Sequence, residues 1–592
     1  MAVAVALASV ALLVGVAAGA GAADPCGAGS NPISCENSKP GTDPSVWDIN
    51  GAGADTIQGF STDISVNVGQ SIGFKIKTTA AAYAITIYRT GWYGGLGARQ
   101  IATVTPSAAL PQIQPQCLSD VATQLYDCGT WGLSASWAVP ASAVSGVYVA
   151  LLTRADNGDK SHIVFVVRND ASHSDVVFQT SDPTWQAYNT YGGADFYQGA
   201  DIGRAFKISY NRPVVTRGDV DGRDFYFASE FAMVRFMEQN GYDVSYLSGV
   251  DTDRRGALLK NHKVFLSVGH DEYWSGAQRA NIEAAANAGV NLQFLSGNDD
   301  YWRTRYEPST TDNTSYRTIT SYKETWSNAK IDPSTEWTGT WRDPRFASPA
   351  NGGGKPENAL SGTIYMANYT DLPVTVSAAE GKTRLWRNTT LTTLAAGTQA
   401  ALAPHTVGYE SNEDLDNGFR PQGLIRLSTT VGPTPQYLKD YGNVVQPGTT
   451  THNITLYKNS AGALIFSAGT VQWSWGLDAM HDGNGAPADA RMRQAQVNLF
   501  ADMGAQPATL ASPLVSATQS SDTTAPATVI TSPANGAAIA NGANVTVTGT
   551  ASDTGGVVAG VEVSTDGGAS WHPATGKASW SYSYIQHGVG AT

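Results

Sequence analysis

Residues 265–274 read FLSVGHDEYW, and residues 294–302 read FLSGNDDYW. In each, an apolar run stops at glycine and turns acidic and aromatic, the pattern of a buried strand that delivers polar groups to one rim. Between them, KVFLSVG is followed by Ser275 and Gln278 in capping-box spacing, an Ala-rich helix, a stop at Gly289 and then NLQFLSG, which predicts strand, helix, strand. The crossover makes the two strands parallel, so both polar ends reach the carboxyl edge of one sheet, where open α/β sheets bind ligands. His270, Glu272 and Asn298 are therefore expected at one rim. If residues 270–272 are extended, His270 and Glu272 face the same side. That makes them candidates for metal binding or acid–base work, beside the plainer reading of a strand-end histidine with ordinary hydrogen bonds.

Moving outward, helical spacing over Ser229–Asn240 ends at Gly241, and YDVSYLS reads as another strand, so an α/β region is expected over 174–505. It runs through Thr- and Trp-rich strands to ALIFSAGTVQWSWGL and a last helix over about 488–503. Before it, short alternating runs such as YAITIY, GVYVALL and HIVFVV, punctuated by Gly, Pro, Asn and Asp, predict a β-sandwich over 47–170, preceded by a short segment, 24–46. After it, a Ser/Thr/Ala-rich linker is expected over 506–524, followed by an incomplete immunoglobulin-like sandwich over 525–592. The fold class is thus multidomain, α/β plus all-β.

The chain has 592 residues, with 37 basic against 50 acidic side chains and a net charge of −13. No Lys/Arg-rich run accompanies that balance, which argues against a nucleic-acid partner. Residues 1–23 are almost all Ala, Val, Leu and Gly and read as a secretory signal, so the protein is expected to be secreted or held at the cell surface. The four cysteines, Cys26, Cys35, Cys117 and Cys128, fall in two close pairs, suggesting two short-loop disulfides. No cysteine follows Cys128, so the α/β region has neither a thiol nucleophile nor a thiolate metal site.

The sequence contains no G-x-S-x-G, HExxH, P-loop or C-x-x-C motif and no Rossmann glycine fingerprint. Two other stretches hold chemistry-bearing residues. TWQAYNTYGGADFY, from Thr184, gathers aromatics in a polar turn, where packing at a core edge is the plain alternative to a site. GYESNEDLDNG, from Gly408, has no EF-hand spacing and reads as a turn, with Glu410 set apart as a candidate.

Taken in order, TWQAYN, Y-N-R-P at Tyr210, GYDVSYLSGVD, GHDEYWS, the Asn298–Arg303 phrase and VGYE resemble the large (beta) subunit of N,N-dimethylformamidase. The resemblance implies an α/β core similar to class I glutamine amidotransferases and a mononuclear iron bound by two tyrosines and one glutamate, hydrolysing a formamide C–N bond. By matching phrase, it makes Glu272 the carboxylate ligand, His270 its proton-transfer partner, Asn298 a substrate contact, Glu410 a second acid–base group and Tyr188 one tyrosine ligand. For the second tyrosine it suggests Tyr148, with Tyr191 and Tyr226 as alternatives. The implied partner is a small-molecule amide, and the small subunit of the known enzyme is not evident in this chain. Two further readings stand beside this one. A noncatalytic protein would bind polysaccharide through its sandwiches and some of its 15 tryptophans, and a glycosidase would use Glu272 and Glu410 as a pair.

Overall fold

The computed structural model describes residues 24–27, 29–49, 51–200, 203–217, 223–483 and 487–588. The expected signal segment, 1–23, lies outside them. Both short-loop disulfides form, Cys26 with Cys35 and Cys117 with Cys128.

The first sandwich pairs a three-stranded sheet (Ile57–Ser61, Ser71–Thr78, Ala135–Ala138) with a five-stranded one (Ser65–Asn67, Lys160–Arg168, Gly146–Arg154, Tyr83–Thr90, Ala98–Val104). Strict alternation is missing from GVYVALL and HIVFVV because the larger sheet is covered on both faces. One face, with Ile85, Ala150 and Phe165, meets the small sheet. The other, with Tyr88, Val149 and Val164, shares a continuous core with the α/β region. At that junction Arg89 is fully buried and donates to both oxygens of Glu238, at 2.8 and 2.7 Å.

The central sheet has nine strands, numbered here in chain order: β1 Val176–Thr180, β2 Val244–Ser248, β3 Val264–Gly269, β4 Asn291–Ser296, β5 Ile364–Leu372, β6 Val407–Glu413, β7 Ile425–Leu438, β8 Val445–Lys458 and β9 Leu464–Ser467. Their spatial order is β2-β1-β3-β4-β9-β8-β6-β5-β7. The first five are parallel. The other four pair antiparallel, and because β7 and β8 also pair with each other, they close on themselves. The predicted crossover is present: β3 and β4 pair in parallel from Val264↔Asn291 to Gly269↔Ser296, joined by helix α1, Gly276–Ala286, with the Ser275/Gln278 capping box formed.

The two echoed phrases then pair a second time. Beyond the central sheet, Tyr273–Ser275 runs parallel to Trp302–Thr304 in a smaller sheet. The first phrase crosses between the sheets through residues 270–272 and the second through 297–301, so the second bend is the longer. In that longer bend Asn298 and Asp300 both take left-handed backbone, φ 53°. The acidic, aromatic ending of each phrase is thus a hinge between two sheets, and its polar groups line the gap.

The helix expected over 229–240 forms as Phe231–Gln239, and a break at Glu230, whose buried carboxylate accepts from the Ser181 amide and the Trp185 indole, separates it from Tyr226–Ser229. Two expectations change. The acidic stretch from Gly408 is strand β6 as far as Glu413 and a loop from Asp414 onward, with Glu413 held by Thr450 and Thr451, and Asp414 paired with Arg420 and Arg426. The presumed linker is pinned to the α/β region through Val515, whose N–H and C=O both bond the Gln494 side chain. After it comes an antiparallel sheet around Val545, Val547 and Trp580. That last unit touches the loop after β6 through Arg420–Glu562 and His572–Asp416.

Candidate active site

Glu272 is the hub. Its backbone N–H donates to Thr184 Oγ1 (3.1 Å), in the short helix Asp182–Ala187 that follows β1. Tyr188, capping the end of that helix, reaches Glu272 Oε2 with its hydroxyl at 3.0 Å. The chain then loops back. Asp195 Oδ1 accepts from the amides of Tyr197 and Gln198, while Arg212 spans the loop by donating to the carbonyls of Gln186, Tyr191 and Ala194. This turn swings Tyr197 in, so that its hydroxyl lies 2.7 and 2.8 Å from the two Glu272 oxygens, 2.9 Å from Tyr188 Oη and 2.6 Å from Tyr273 Oη. The Tyr188 and Tyr197 rings stack at 4.4 Å. Against Tyr197 as well, the buried Lys323 Nζ sits 3.5 Å from the ring centroid and 4.3 Å from those of Trp302 and Trp326.

The acid–base side faces this hub. His270 Nε2 lies 3.4 Å from Glu272 and 2.8 Å from Glu410, and its Nδ1 lies 2.8 Å from Asp224, which also accepts from the Tyr409 hydroxyl at 2.6 Å. Asn298 Nδ2 and the Tyr365 hydroxyl donate to the two Glu410 oxygens, each at 2.8 Å. The left-handed Asn298 backbone is fixed by its N–H on Asn412 Oδ1, at 2.9 Å. Gly297 is required here, because a Cβ would fall 2.6 Å from the Glu410 carbonyl oxygen. These groups line the inner end of a cavity of about 690 Å³.

Burial governs the protonation states. It raises the Glu272 pKa, although His270 and Lys323 pull against it. It pushes the Tyr188 and Tyr197 phenols well above 10, and the nearby Glu272 charge adds to that. For His270, burial alone would favour the neutral ring, but Glu410, Asp224 and Glu272 outweigh it and hold the imidazole well above 6.5. Burial drives Lys323 well below its ordinary 10.5, with Glu272 opposing.

The structure thus brings Glu272, His270, Asn298, Glu410 and Tyr188 together. It does not bring Tyr148 to them, and this corrects the choice of second tyrosine. Tyr148 lies in the sandwich core against Trp137 and Phe165, with its hydroxyl on Val144 O at 2.7 Å. The alternatives are elsewhere too: Tyr226 bonds Thr90 and Tyr191 packs on Tyr126. Tyr197 takes the place beside Glu272. It closes the stretch TWQAYNTYGGADFY, and a turn signal at Gly192-Gly193 was the one hint that the loop returns. Tyr409 stood inside the quoted VGYE phrase without being singled out, and Asp224, Tyr365 and Lys323 carried no sequence signal, since their partners are remote in the chain.

Among the described residues, no cluster of three His, Cys, Asp or Glu side chains is arranged to hold a metal ion. The oxygen set of Tyr188, Tyr197 and Glu272 fits one by its chemistry: phenolate and carboxylate are hard donors suited to a highly charged cation. A phenol this strongly held in its neutral form ionises only when such a cation compensates it. Fold and site define a mixed α/β protein with a buried, oxygen-rich cluster where two sheets meet. Residues 84–487 match the family of the N,N-dimethylformamidase beta subunit-like C-terminal region, and the chain belongs to that family. The match begins inside the sandwich, consistent with the shared core. Residues 526–591 match a bacterial Ig domain. No curated protein matches the chain.

Proposed function

We propose that the protein hydrolyses the C–N bond of an amide using one metal ion, iron on the family resemblance, held by Tyr188, Tyr197 and Glu272. The observation that carries this reading is the convergence of two phenol hydroxyls on one carboxylate that is only 2 % exposed. When bound, the cation would supply a Lewis acid for the amide carbonyl and lower the pKa of a water. Proton transfer belongs to the chain's own residues. His270, oriented through Nδ1 by Asp224, and Glu410, its neighbour at Nε2, form a relay that accepts a proton from water and returns it to the departing nitrogen. Over the cycle the C–N bond breaks, hydroxide adds to the carbonyl carbon and a proton to nitrogen, giving acid and amine. Asn298 holds Glu410 through Nδ2, and its Oδ1 has no hydrogen-bond partner among the described residues, leaving an acceptor for a substrate N–H.

A glycosidase reading has less support, because Glu272 and Glu410 are both turned onto the same His270 nitrogen, at 3.4 and 2.8 Å, an arrangement suited to shared proton transfer. Noncatalytic polysaccharide binding leaves the buried charge cluster without a role. The two disulfides and the Ig domain favour an extracytoplasmic setting. Metal analysis and amine release from formamides test the proposal. About one metal per chain, lost in Glu272→Gln together with turnover, is expected; full wild-type metal retention in that variant, or a metal-loaded protein inert on amides, would overturn it.

A further inference from the structure

We infer that the non-reacting end of the substrate is an uncharged ring that stacks on Tyr369 at the cavity mouth. This rests on the amide-hydrolase reading of the inner end and extends it outward. The first support is size. A cavity of about 690 Å³ falls among those that hold drug-sized ligands, roughly 300–1,000 Å³, so an amide of a handful of heavy atoms would leave most of it filled with water.

The second support is the backbone of Tyr369 itself. This residue is 57 % exposed and adopts φ 58°, left-handed backbone that is uncommon for a bulky side chain. It sits where the β5–β6 register slips between Asn368 and Thr370, a bulge of the kind that re-aims a side chain, and its N–H is held by Asn368 Oδ1 at 2.8 Å. An exposed ring gains little from folding, so packing gives no reason to hold it in this conformation; a ligand does. The platform leads inward, since the Tyr369 ring lies 6.5 Å from that of Tyr409, whose hydroxyl touches Asp224 in the reaction centre.

The third support is the distribution of charge along the cavity. The charged side chains of its lining, Arg223, Asp224, Glu272 and Glu410, gather around Tyr409 and the inner end, with the Arg223 guanidinium 4.9 Å from the Tyr409 ring centroid. The residues contributed by β5, β7 and the turn into β8, namely Asn368, Gln436, Leu438, Asn443 and Val445, are uncharged, and Asn368 and Gln436 are joined at 3.2 Å. Among these an ionised tail meets no counter-charge, whereas a neutral ring meets the flat Tyr369 face and amide groups.

Calorimetric titration with N,N-dimethylformamide, formanilide and N-formylglucosamine tests the inference, with amine release followed separately. At least one ring-bearing formamide should bind wild type about tenfold more tightly than dimethylformamide, as expected for one aromatic stacking contact plus its buried area. Preference for formanilide would mark an aryl group and preference for the sugar a pyranose. Tyr369→Phe should retain the preference. Tyr369→Asn, which tolerates the left-handed backbone, should lose it. Equal binding of all three probes by wild type, or a preference that survives in Tyr369→Asn, would overturn the inference. Ring preference without turnover of any probe would support the stacking site and remove the hydrolase reading, whereas turnover of dimethylformamide without ring preference would do the reverse.

Discussion

The structure puts Tyr197 beside Glu272, where the sequence suggested Tyr148, and a pair of hydroxyl deletions separates the two. Tyr197→Phe removes an oxygen that touches both Glu272 oxygens, Tyr188 and Tyr273 within 2.6–2.9 Å. Loss of a group that merely supports a metal ligand typically weakens binding about 10- to 100-fold. Loss of a ligand should exceed that range, so a fall of at least about 100-fold is expected, equivalent to about 2.7 kcal/mol. Tyr148→Phe removes only the bond to Val144 O, worth about 1 kcal/mol of stability, and should leave metal content unchanged. Metal retained after dialysis against a graded chelator series, measured with the thermal midpoint of each variant, reads both quantities. A Tyr197→Phe protein that holds its metal as wild type does, or a Tyr148→Phe protein that loses it while still folded, would refute the assignment.

Three other outcomes follow from the same contacts. Gly297→Ala places a Cβ 2.6 Å from the Glu410 carbonyl oxygen and 2.8 Å from Thr470 Cα and Val471 N. Because these are backbone atoms, a cost of about 1–3 kcal/mol is expected, with turnover falling further than stability as Asn298 is displaced from Glu410; unchanged denaturant midpoint and turnover would count against this packing. Glu238→Ala strands the buried Arg89 between the sandwich and the α/β region and should cost about 3–5 kcal/mol, measured by denaturant unfolding; a loss under 1 kcal/mol would show the junction to be permissive. Burial holds the His452 imidazole at about 4, against 6.5 ordinarily, with Nε2 on Ala468 O. Between those values the unfolded chain binds more protons, so this contribution is complete above pH 6.5 and declines as pH falls toward 4, by up to about 3 kcal/mol. A folded His452→Gln variant should show a shallower acid limb, and an identical limb in both proteins would contradict the shift.

How far the sequence carries depends on whether a residue's partner is near it in the chain. The echoed phrases set glycine stops and a capping box within one crossover, so the β3–β4 pairing and the convergence of His270, Glu272 and Asn298 were readable from local pattern alone. The actual geometry differs in one respect. Residues 270–272 form a bend between two sheets, and His270 and Glu272 meet because the second pairing, Tyr273↔Trp302, clamps the far side of that bend. Alternation of side chains along a strand reached the right pair by an incomplete route.

The antiparallel half of the central sheet was much less legible. Strand β6 and the loop after it bury acids where a solvated turn was expected, because Thr450, Thr451, Arg420 and Arg426 arrive from β7, β8 and their flanks to satisfy Glu413 and Asp414. Burying a carboxylate is tolerable only with such partners, and those of Glu413 lie 37 and 38 residues away in the chain, where they leave no mark on local composition. Tyr197 and Lys323 repeat the lesson inside the site: Lys323 sits among three aromatic faces, two of them drawn from other segments, and its burial there, only partly offset by the Glu272 charge, pulls its pKa well below 10.5. A reaction centre built where two sheets meet draws its residues from several distant segments. Pattern reading found those members whose segments announce themselves as strand ends, and missed those whose positions are set by the groups they touch.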